Sequence, residues 1–475
     1  MHSLLYIIGM TLMWIVVAMA VVHVVMDNRQ PAKTMAWALV IIFIPVVGLV
    51  FYLFFGMNHR KERMISQMSV DQLTKRSMLG FVEQQNLRVP EHHKQLVDLF
   101  VNQSFSLPFK DNQIDIMTDG YAFFPELLKD ISRARHHIHI DMYIFEDDAL
   151  GNLVADALID KVKEGVQVRV IYDDVGCWNV RHQFFEKMRE EGIEVAAYLP
   201  VRFPSFTSKV NYRNHRKIII IDGETGYIGG MNIALRYVSS SWRDTMLRIT
   251  GGAVYGLQRA FLIDWYFVDR TLITNRVYYP PLSAFRSPLS VNNCLAQIVT
   301  SGPTTPYPEI MQGFVRIILA AHRYVYIETP YFLPNEPVLF AIKTAAQAGV
   351  DVRILCPRRS DARFVEWASR SYLREAFEAN VKVYLYQTGF LHSKMMVCDD
   401  SVVTCGSTNV DSRSFENNFE ANAFIYDEGV AIRLRNVFLR DQENAVLLSD
   451  LPQRIHPSFK KRLWESLIRL LSPLL

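Results

Sequence analysis

Cysteine is scarce in this sequence, and the few cysteines are scattered. The 475 residues include five, at positions 177, 294, 356, 398 and 405, and no two of them form a Cys-x-x-Cys pair. An odd number without a spacing pattern argues against a disulfide framework or a zinc site, and it is typical of core thiols in a reducing compartment. No acidic cluster or Cys/His spacing suggests another metal, so we expect a site that works without one.

The sequence also lacks long blocks of one charge sign. Lys and Arg number 51 against 48 Asp and Glu, which leaves a net charge of +3. A protein that binds nucleic acid is expected to carry a basic stripe or patch. An excess this small argues against nucleic acid as a partner.

Charged residues are absent altogether from two segments near the amino terminus, 4–26 and 35–55. Each has about the 20 residues that a helix needs to cross a bilayer. A cleaved signal peptide is disfavoured for the first, because no Lys or Arg precedes it and its apolar run is too long. A buried helix of a soluble protein is the alternative for the second, and Pro45 is compatible with a membrane helix because neighbouring helices can satisfy a kinked backbone. We therefore predict a transmembrane hairpin.

The charges around this hairpin predict its orientation. The connector of residues 27–34 is short, so both ends of the hairpin are expected on the same side of the membrane. Arg60, Lys61 and Arg63 follow the second span, and this modest excess over the connector favours a cytoplasmic side for the rest of the chain. The sequence thus predicts a multi-pass membrane protein with its large domain in the cytoplasm.

From about residue 112 the pattern changes to strands that alternate with helices. The run HHIHIDMYIF is a strand, LGNLVADALIDKVKEG an amphipathic helix and VQVRVIYDD a second strand, and RYVYIETPYF, EPVLFAIKTAAQAG and VDVRILCP repeat this order later. Such βαβ units predict an α/β fold with a mostly parallel sheet, in two repeats that pack pseudo-symmetrically around one site. The predicted segments are a transmembrane hairpin (1–56), a helical linker (57–111), repeat 1 (112–290), repeat 2 (291–448) and an amphipathic tail (449–475).

One motif occurs in both repeats. His215, Lys217 and Asp222 follow the spacing His-x-Lys-x4-Asp, and Gly-x-x-Asn comes six residues later and ends at Asn232. The second copy, with the same internal and downstream spacing, consists of His392, Lys394, Asp399 and Asn409. A single match is expected by chance in roughly a few per cent of chains of this length, but a duplicated one is not coincidental.

The motif places polar groups at the end of a buried strand. In NHRKIIIID the strand period of two puts His215, Lys217, Ile219 and Ile221 on one face. Because that face begins polar and ends apolar, the histidine and lysine are expected at the open end and the isoleucines in the core. Taken alone, either motif could be a polar pair on an edge strand. Two such motifs brought together would gather imidazoles, ammonium groups and amides in one pocket that suits an anionic ligand.

A phosphodiester fits such a pocket. Its charged oxygens accept hydrogen bonds from Lys and Asn, and these donors gain value as charge builds during displacement. Imidazole titrates near neutral pH, so two histidines can supply a nucleophile and an acid/base.

These duplicated motifs resemble the phospholipase D superfamily over roughly residues 112–448. The resemblance implies that His215 becomes a covalent phosphohistidine and that His392 protonates the leaving alcohol and deprotonates the incoming one. The phosphate-binding groups that it implies are Lys217, Lys394, Asn232 and Asn409, with a hydroxyl contact from Ser407. Asp222 and Asp399 would be structural partners near the site, and Asp244 (in SWRD) and Glu420 (in NNFE) would orient the imidazoles or else be surface or capping acids. Gly230 stands where many members have serine, so the first copy lacks that hydroxyl.

Within that superfamily the whole chain resembles the bacterial cardiolipin synthases. The two amino-terminal spans, the run YIETPYFLP and the run NVDSRSFENNFE carry this likeness. It implies phosphatidyl transfer between two phosphatidylglycerol molecules, which gives cardiolipin and glycerol without an added cofactor. Hydrolysis, transfer to another alcohol and use of phosphatidylethanolamine remain open, because the active site would look the same. A silent lipid-binding scaffold is disfavoured by intact His and Lys in both motifs.

The carboxy-terminal run FKKRLWESLIRLLSPLL predicts an amphipathic helix. A leucine-rich face with Trp464 beside it would enter the membrane interface, and basic residues would meet anionic head groups. A terminal helix packed on the protein has the same pattern and is the alternative. The leucines are Leu463, Leu467, Leu470, Leu471 and Leu474, and the basic residues are Lys460, Lys461, Arg462 and Arg469.

Overall fold

The computed structural model describes residues 2–27, 31–56, 67–84, 87–201, 211–282 and 294–472. They form two compact units, an amino-terminal helical unit and a larger α/β unit that carries both motifs.

The helical unit differs from the predicted pair of spans. It consists of α1 (His2–Met26), α2 (Pro31–Phe43), α3 (Pro45–Phe51) and a π-helical turn (Tyr52–Gly56). In the part of the chain that the structure describes, only Leu4–Met26 is long and apolar enough to span a membrane as one helix. The second predicted span, 35–55, is interrupted at Ile44, because Pro45 has no amide hydrogen with which to continue the helical ladder.

The α/β unit begins with two helices that the sequence assigned to a linker. They are α4 (Gln67–Glu83) and α5 (Glu91–Ser104). Leu96, Val97 and Phe100 of α5 belong to the larger hydrophobic core, and Ser69 of α4 donates a hydrogen bond to Tyr266. The described part of the predicted linker is therefore integral to the α/β unit, while residues 57–66 lie outside the described residues.

The first half of this unit contains the first motif. Its elements in chain order are β1 (Phe109–Met117), α6 (Gly120–Arg133), β2 (His137–Met142), α7 (Ala149–Lys163), β3 (Gln167–Asp173), α8 (His182–Glu190), β4 (Glu194–Tyr198), β5 (Arg213–Asn214), β6 (Lys217–Ile221), β7 (Thr225–Gly229), β8 (Trp242–Arg243), β9 (Met246–Thr250) and α9 (Val254–Asp269).

The second half repeats this order around the second motif and ends in the tail helix. Its elements are β10 (Cys294–Ser301), α10 (Glu309–Leu319), β11 (Tyr324–Glu328), β12 (Phe332–Leu333), α11 (Glu336–Gln347), β13 (Asp351–Pro357), α12 (Arg363–Glu378), β14 (Lys382–Tyr386), β15 (Phe390–Leu391), β16 (Met395–Cys398), β17 (Val402–Gly406), β18 (Val410–Asp411), α13 (Ser412–Glu416), β19 (Asn418–Tyr426), α14 (Glu428–Glu443), β20 (Ala445–Leu447), α15 (Pro452–Ile455) and α16 (Phe459–Arg469).

One continuous sheet joins the halves, and its strand order is pseudo-symmetric. From one edge inward the order is β4-β3-β2-β6-β7-β9-β1 in the first half and β14-β13-β11-β16-β17-β19-β10 in the second, where β20 extends the edge beyond β14. The halves meet where β1 pairs antiparallel with β10. The predicted duplication is thus visible in the topology.

The prediction of a mostly parallel sheet is wrong. Along the strand order given above, the outer strands β2-β3-β4 and β11-β13-β14 run parallel, whereas the inner strands, from β6 and β16 to the β1–β10 junction, pair antiparallel. The physical reason is the hairpin after each motif, because a tight turn at Asp222 and Gly223 can only reverse the strand. Ile219 and Ile221 of β6 lie in the hydrophobic core of the first half, as the strand period predicted.

Candidate active site

Each motif histidine directly follows a short strand that pairs with a strand from the other half of the chain. The short strand β5 before His215 pairs with β19, and β15 before His392 pairs with β8. The backbone N–H of His215 donates to the carbonyl oxygen of Phe419 at 2.9 Å, and that of His392 donates to Arg243 at 2.7 Å. The next residues along those partner strands are Glu420 and Asp244, so the backbone pairing delivers one carboxylate to each imidazole.

The two carboxylates pair with the histidines crosswise. Nδ1 of His215 lies 3.0 Å from Oε1 of Glu420, and Nδ1 of His392 lies 2.7 Å from Oδ2 of Asp244. Both carboxylates are fully buried. An ionised carboxylate only accepts hydrogen bonds, so Nδ1 of each ring carries the proton and Nε2 is left for chemistry.

A cavity of about 330 Å³ lies at the two histidines. Beside His215 its wall includes Tyr143, whose ring centroid is 4.9 Å from that of the imidazole. Beside His392 it includes Trp242 and Tyr331, at 5.5 and 6.5 Å. This volume, lined by apolar and polar groups together, suits a phospholipid head group.

The two lysines lie behind the histidines. Nζ of Lys217 donates to the carbonyl oxygen of His215 at 2.5 Å, and Lys394 makes the equivalent bond to His392. Burial lowers the pKa of Lys217 to about 7, with Glu420 opposing that shift, and burial lowers the pKa of Lys394 to about 8. The charge of Lys394 also acts to lower the pKa of Lys217, so the two ammonium groups repel each other in this buried site and an anion would stabilise both.

The imidazoles are neutral at neutral pH. Burial lowers the pKa of His215 to about 4 despite the opposing effect of Glu420, and burial together with the charge of Lys394 lowers the pKa of His392 to about 4. Burial acts to raise the pKa of Glu420, but His215 and Lys217 outweigh it and hold that pKa below its usual value. The arrangement is therefore a neutral imidazole on an ionised carboxylate, which is the form that a nucleophile or a general base needs.

The amides and hydroxyl predicted to bind phosphate have different surroundings. Asn232 and Asn409 both line the cavity. The side-chain oxygen of Asn232 accepts from the N–H of Ile144 at 3.0 Å, whereas that of Asn409 has no hydrogen-bond partner in the described part of the chain. Ser407 does not line the cavity, because its hydroxyl donates to Glu420. The prediction of a direct phosphate contact by Ser407 is replaced by a contact with the carboxylate behind His215.

Gly230, which occupies the position of Ser407 in the first half, has a steric explanation. A Cβ atom placed at Gly230 would lie 2.1 Å from Oδ1 of Asp244. That carboxylate is already held by His392 and by the N–H of Thr245, at 2.7 Å. The space that a serine would need is occupied by the carboxylate itself.

Asp222 and Asp399 lie away from the cavity, which corrects the expectation that they are near the site. Asp222 accepts from the N–H groups of Arg135, His136 and His137 at 2.8 to 2.9 Å, at the far end of β6. Asp399 accepts equivalently from residues 322, 323 and 324. Each aspartate follows its histidine by seven positions, which corresponds to about 20 Å of extended chain. The two aspartates fix the backbone at the start of a neighbouring strand.

Sequence reasoning missed two buried arginines that hold the orienting acids. Arg216 donates to the carbonyl oxygen of Glu420 at 3.1 Å and forms an ion pair with Asp264. Arg243 donates to the carbonyl oxygen of Asp244 at 2.6 Å and forms an ion pair with Asp441. The sequence did contain a sign of these ion pairs. Asp264 and Asp441 each form the last residue of a Phe-Leu-x-Asp pattern, in the helix that follows each motif.

Asn418 was also missed. It lines the cavity, and its side-chain amide donates to Glu420 at 3.2 Å. Together with the hydroxyl of Ser407, this gives the carboxylate behind His215 more fixed partners than motif spacing predicts.

Comparison with known proteins agrees with this architecture. The model of the cardiolipin synthase, phospholipase D-like domain matches residues 127–265 and again 314–442, and the phospholipase D-nuclease N-terminal model matches 15–56. A cardiolipin synthase of Oceanobacillus iheyensis is 38% identical over 97% of both chains, and the major cardiolipin synthase ClsA of Bacillus subtilis is 37% identical over the same shares.

A solved structure shares the fold. The phosphatidylserine synthase of Haemophilus influenzae Rd KW20 superimposes with a TM-score of 0.60 at 17% identity, over 80% of this chain and 99% of its own. The matched domain model in two copies and the near full-length identity lead to one assignment: the chain belongs to the cardiolipin synthase family, whose catalytic unit is a pair of phospholipase D-like domains.

Proposed function

We propose that this enzyme of cardiolipin synthesis condenses two phosphatidylglycerol molecules into cardiolipin and glycerol through a phosphohistidine. The observation that carries the proposal is the crosswise pair of imidazoles on buried carboxylates, 3.0 and 2.7 Å apart, at one cavity. Two imidazoles in equivalent surroundings suit a double displacement, in which one ring holds the phosphatidyl group and the other moves a proton.

In the first step Nε2 of His215 attacks the phosphorus of the donor lipid. The N–P bond forms as the bond from phosphorus to the oxygen of the head-group glycerol breaks, and His392 gives that oxygen its proton. The incoming phosphodiester anion favours the imidazolium, so it raises the low pKa of His392 and prepares this residue to act as an acid.

In the second step a hydroxyl of another phosphatidylglycerol attacks the phosphohistidine. His392 takes the proton of that hydroxyl, the new P–O bond forms and the N–P bond breaks, which restores the enzyme. One phosphodiester replaces another, so the free-energy change is small and no activated nucleotide is required. Lys217, Lys394 and the amides of Asn232 and Asn409 would stabilise charge on the phosphate oxygens during both displacements.

The test is expression of the chain in a host that makes no cardiolipin. We expect lipid mass spectrometry to find cardiolipin in cells with the intact chain and none with the His215→Ala variant. Cardiolipin absent from both would contradict the proposal. An excess of phosphatidic acid from the intact chain would instead favour a phospholipase.

We further propose that α2 and α3 together return through the membrane as a kinked second span, so that the α/β unit faces the cytoplasm and residues 27–34 lie outside. The described cysteines are all buried, so labelling of native thiols should not obscure the labelling of a single introduced cysteine. An impermeant thiol reagent added to intact cells should label a cysteine at position 30 and spare one at position 67. The opposite pattern would reverse the orientation.

A further inference from the structure

The described part of the α/β unit leaves the leucine-rich face of the carboxy-terminal helix α16 uncovered, and Leu474 of the predicted face lies outside the described residues. Leu463, Leu467 and Leu470 are 49, 48 and 75% exposed, whereas Glu465 and Ile468 on the opposite face are buried against α12. The carboxylate of Glu465 pairs with the guanidinium of Arg374, which fixes the helix in this orientation. One face of the helix therefore packs on protein, as one of the two sequence alternatives predicted, and the leucine-rich face does not.

The exposed leucines continue into an aromatic surface on α12. The Trp464 ring lies 5.7 Å from that of Trp367, which lies 5.5 Å from Phe364. Phe364 is 52% exposed. We define the docking patch as Phe364, Trp367, Leu463, Trp464, Leu467 and Leu470. A contiguous apolar surface of this kind marks an interaction site.

The docking patch adjoins the catalytic cavity through a small hydrophobic cluster. Ile468 of α16 packs in this cluster with Leu333 and Val365, and these two residues also line the cavity. Val365 follows Phe364 directly on α12, so one turn of this helix has one side on the cavity and the other on the docking patch. A lipid with its head group in the cavity has an apolar surface next to it for its acyl chains.

The charges around the docking patch suit an anionic surface. Lys460, Lys461 and Arg462 at the start of α16 are exposed, and so are Arg359 and Arg363 near the cavity. Arg469 was predicted to meet anionic head groups, but it is not available for this, because it pairs with Glu375 at 2.6 Å and stacks on Tyr372. Aromatic and leucine side chains with lysine and arginine beside them are the composition of a membrane-interface segment.

We infer that the docking patch binds the surface of an anionic phospholipid bilayer and opens the catalytic cavity toward it. This rests on the proposed function, because it assumes a substrate that stays in the bilayer. The patch would then hold the cavity at the head-group level, independently of the amino-terminal helices.

A fluorescent probe tests the contact directly. Leu467→Cys in the full chain is labelled with an environment-sensitive thiol dye, and Leu319→Cys, an equally exposed leucine at the end of α10, is the matched control. In vesicles containing phosphatidylglycerol we expect the dye at 467 to shift to shorter wavelength and to be quenched by brominated lipids, and the dye at 319 to do neither. Two dyes that both report water would overturn the inference. A second outcome would also overturn it: the dye at 467 shifts to shorter wavelength, brominated lipids do not quench it, and the protein is a dimer. The patch would then bind a second copy of the chain instead of lipid.

Turnover provides a second test that does not depend on the dye. The double variant Leu463→Asp and Leu467→Asp should lose about tenfold or more of the activity on bilayer phosphatidylglycerol and keep its activity on a short-chain, monomeric phosphatidylglycerol. Equal activity on bilayers would contradict the docking role. Failure of the unaltered chain to make cardiolipin from either substrate would instead contradict the proposed function, and the dye result would still stand.

Discussion

His215 and Glu420 come from different halves of the chain, yet Nδ1 of one lies 3.0 Å from a carboxylate oxygen of the other. The same exchange joins His392 to Asp244. Neither half therefore contains a complete imidazole–carboxylate pair. The duplicated fold works as one active site because each half supplies the other with an acid.

We expect Glu420→Gln and Asp244→Asn each to lower kcat by about 10²-fold or more, the scale of general acid–base contributions. An amide can present its NH₂ group to the imidazole and so fails to fix the Nδ1–H tautomer. Ser407→Ala is the matched control, since it removes one hydrogen bond to Glu420 and leaves the carboxylate in place. Its loss should be nearer tenfold. Full activity in either acid variant would show that the crosswise pairs are not needed.

The alanine variants of the two histidines should differ in whether they accumulate a covalent phosphatidyl adduct. Replacing either by Ala should abolish turnover. With a phosphatidyl donor whose leaving group needs no protonation, only His392→Ala should build up a covalent phosphatidyl adduct, detected by mass spectrometry of the intact protein. An adduct on the His215→Ala variant would exchange the two proposed roles.

Gly230→Ser should be harmful although serine is the residue at the equivalent position 407. The added Cβ would push the Asp244 carboxylate from His392, so kcat should fall toward the level of Asp244→Asn. Ser407→Gly, its mirror image, should have the milder effect of a lost hydrogen bond. The measurement is kcat for both variants, and an unaffected Gly230→Ser enzyme would show that the carboxylate can move freely.

The pH dependence of kcat/KM should be shifted from that of ordinary side chains. It reports the free enzyme, in which burial lowers the pKa of His215 and of His392 to about 4. Protonation of the nucleophile His215 should therefore weaken activity only below about pH 5, whereas loss of the proton that His392 must donate should make kcat/KM fall as the pH rises above that value. Burial lowers the pKa of Lys217 to about 7 and of Lys394 to about 8. Cationic charge is lost as pH rises through these values, so the decline of activity on an anionic lipid should become steeper above pH 7 to 8. An acid limb near 6.5 with activity constant to pH 10 would contradict these shifts.

The free energy of unfolding should depend on pH because of the same lowered histidine pKa values. The pKa of His215 is lower in the folded chain than in the unfolded one, so the unfolded chain binds more protons between about pH 4 and 6.5. Lowering the pH through that range therefore removes stability, at about 1.4 kcal/mol per pH unit for each such group. Buried His137, whose pKa burial also lowers to about 4, adds to the effect. Thermal unfolding from pH 7 to 4 measures it, and a midpoint that rises on acidification would contradict it.

Local pattern was enough to predict the repeats and the burial of Ile219 and Ile221, because strand period and motif spacing are properties of short segments. The crosswise partners could not be assigned from the sequence, since they depend on the pairing of β5 with β19 across about 200 residues. The antiparallel inner strands were missed because the βαβ pattern describes only the outer ones. The contacts of Ser407 and Gly230 required the position of a carboxylate that spacing alone does not give.

The proposed reaction is phosphatidyl exchange between two phosphatidylglycerol molecules. Purified protein given only phosphatidylglycerol in detergent micelles, with a chelator and no nucleotide, tests it most directly. We expect cardiolipin and glycerol in equal amounts, and reversal when glycerol is added in excess. Phosphatidic acid as the main product, or no product until phosphatidylethanolamine or an activated lipid is supplied, would contradict it.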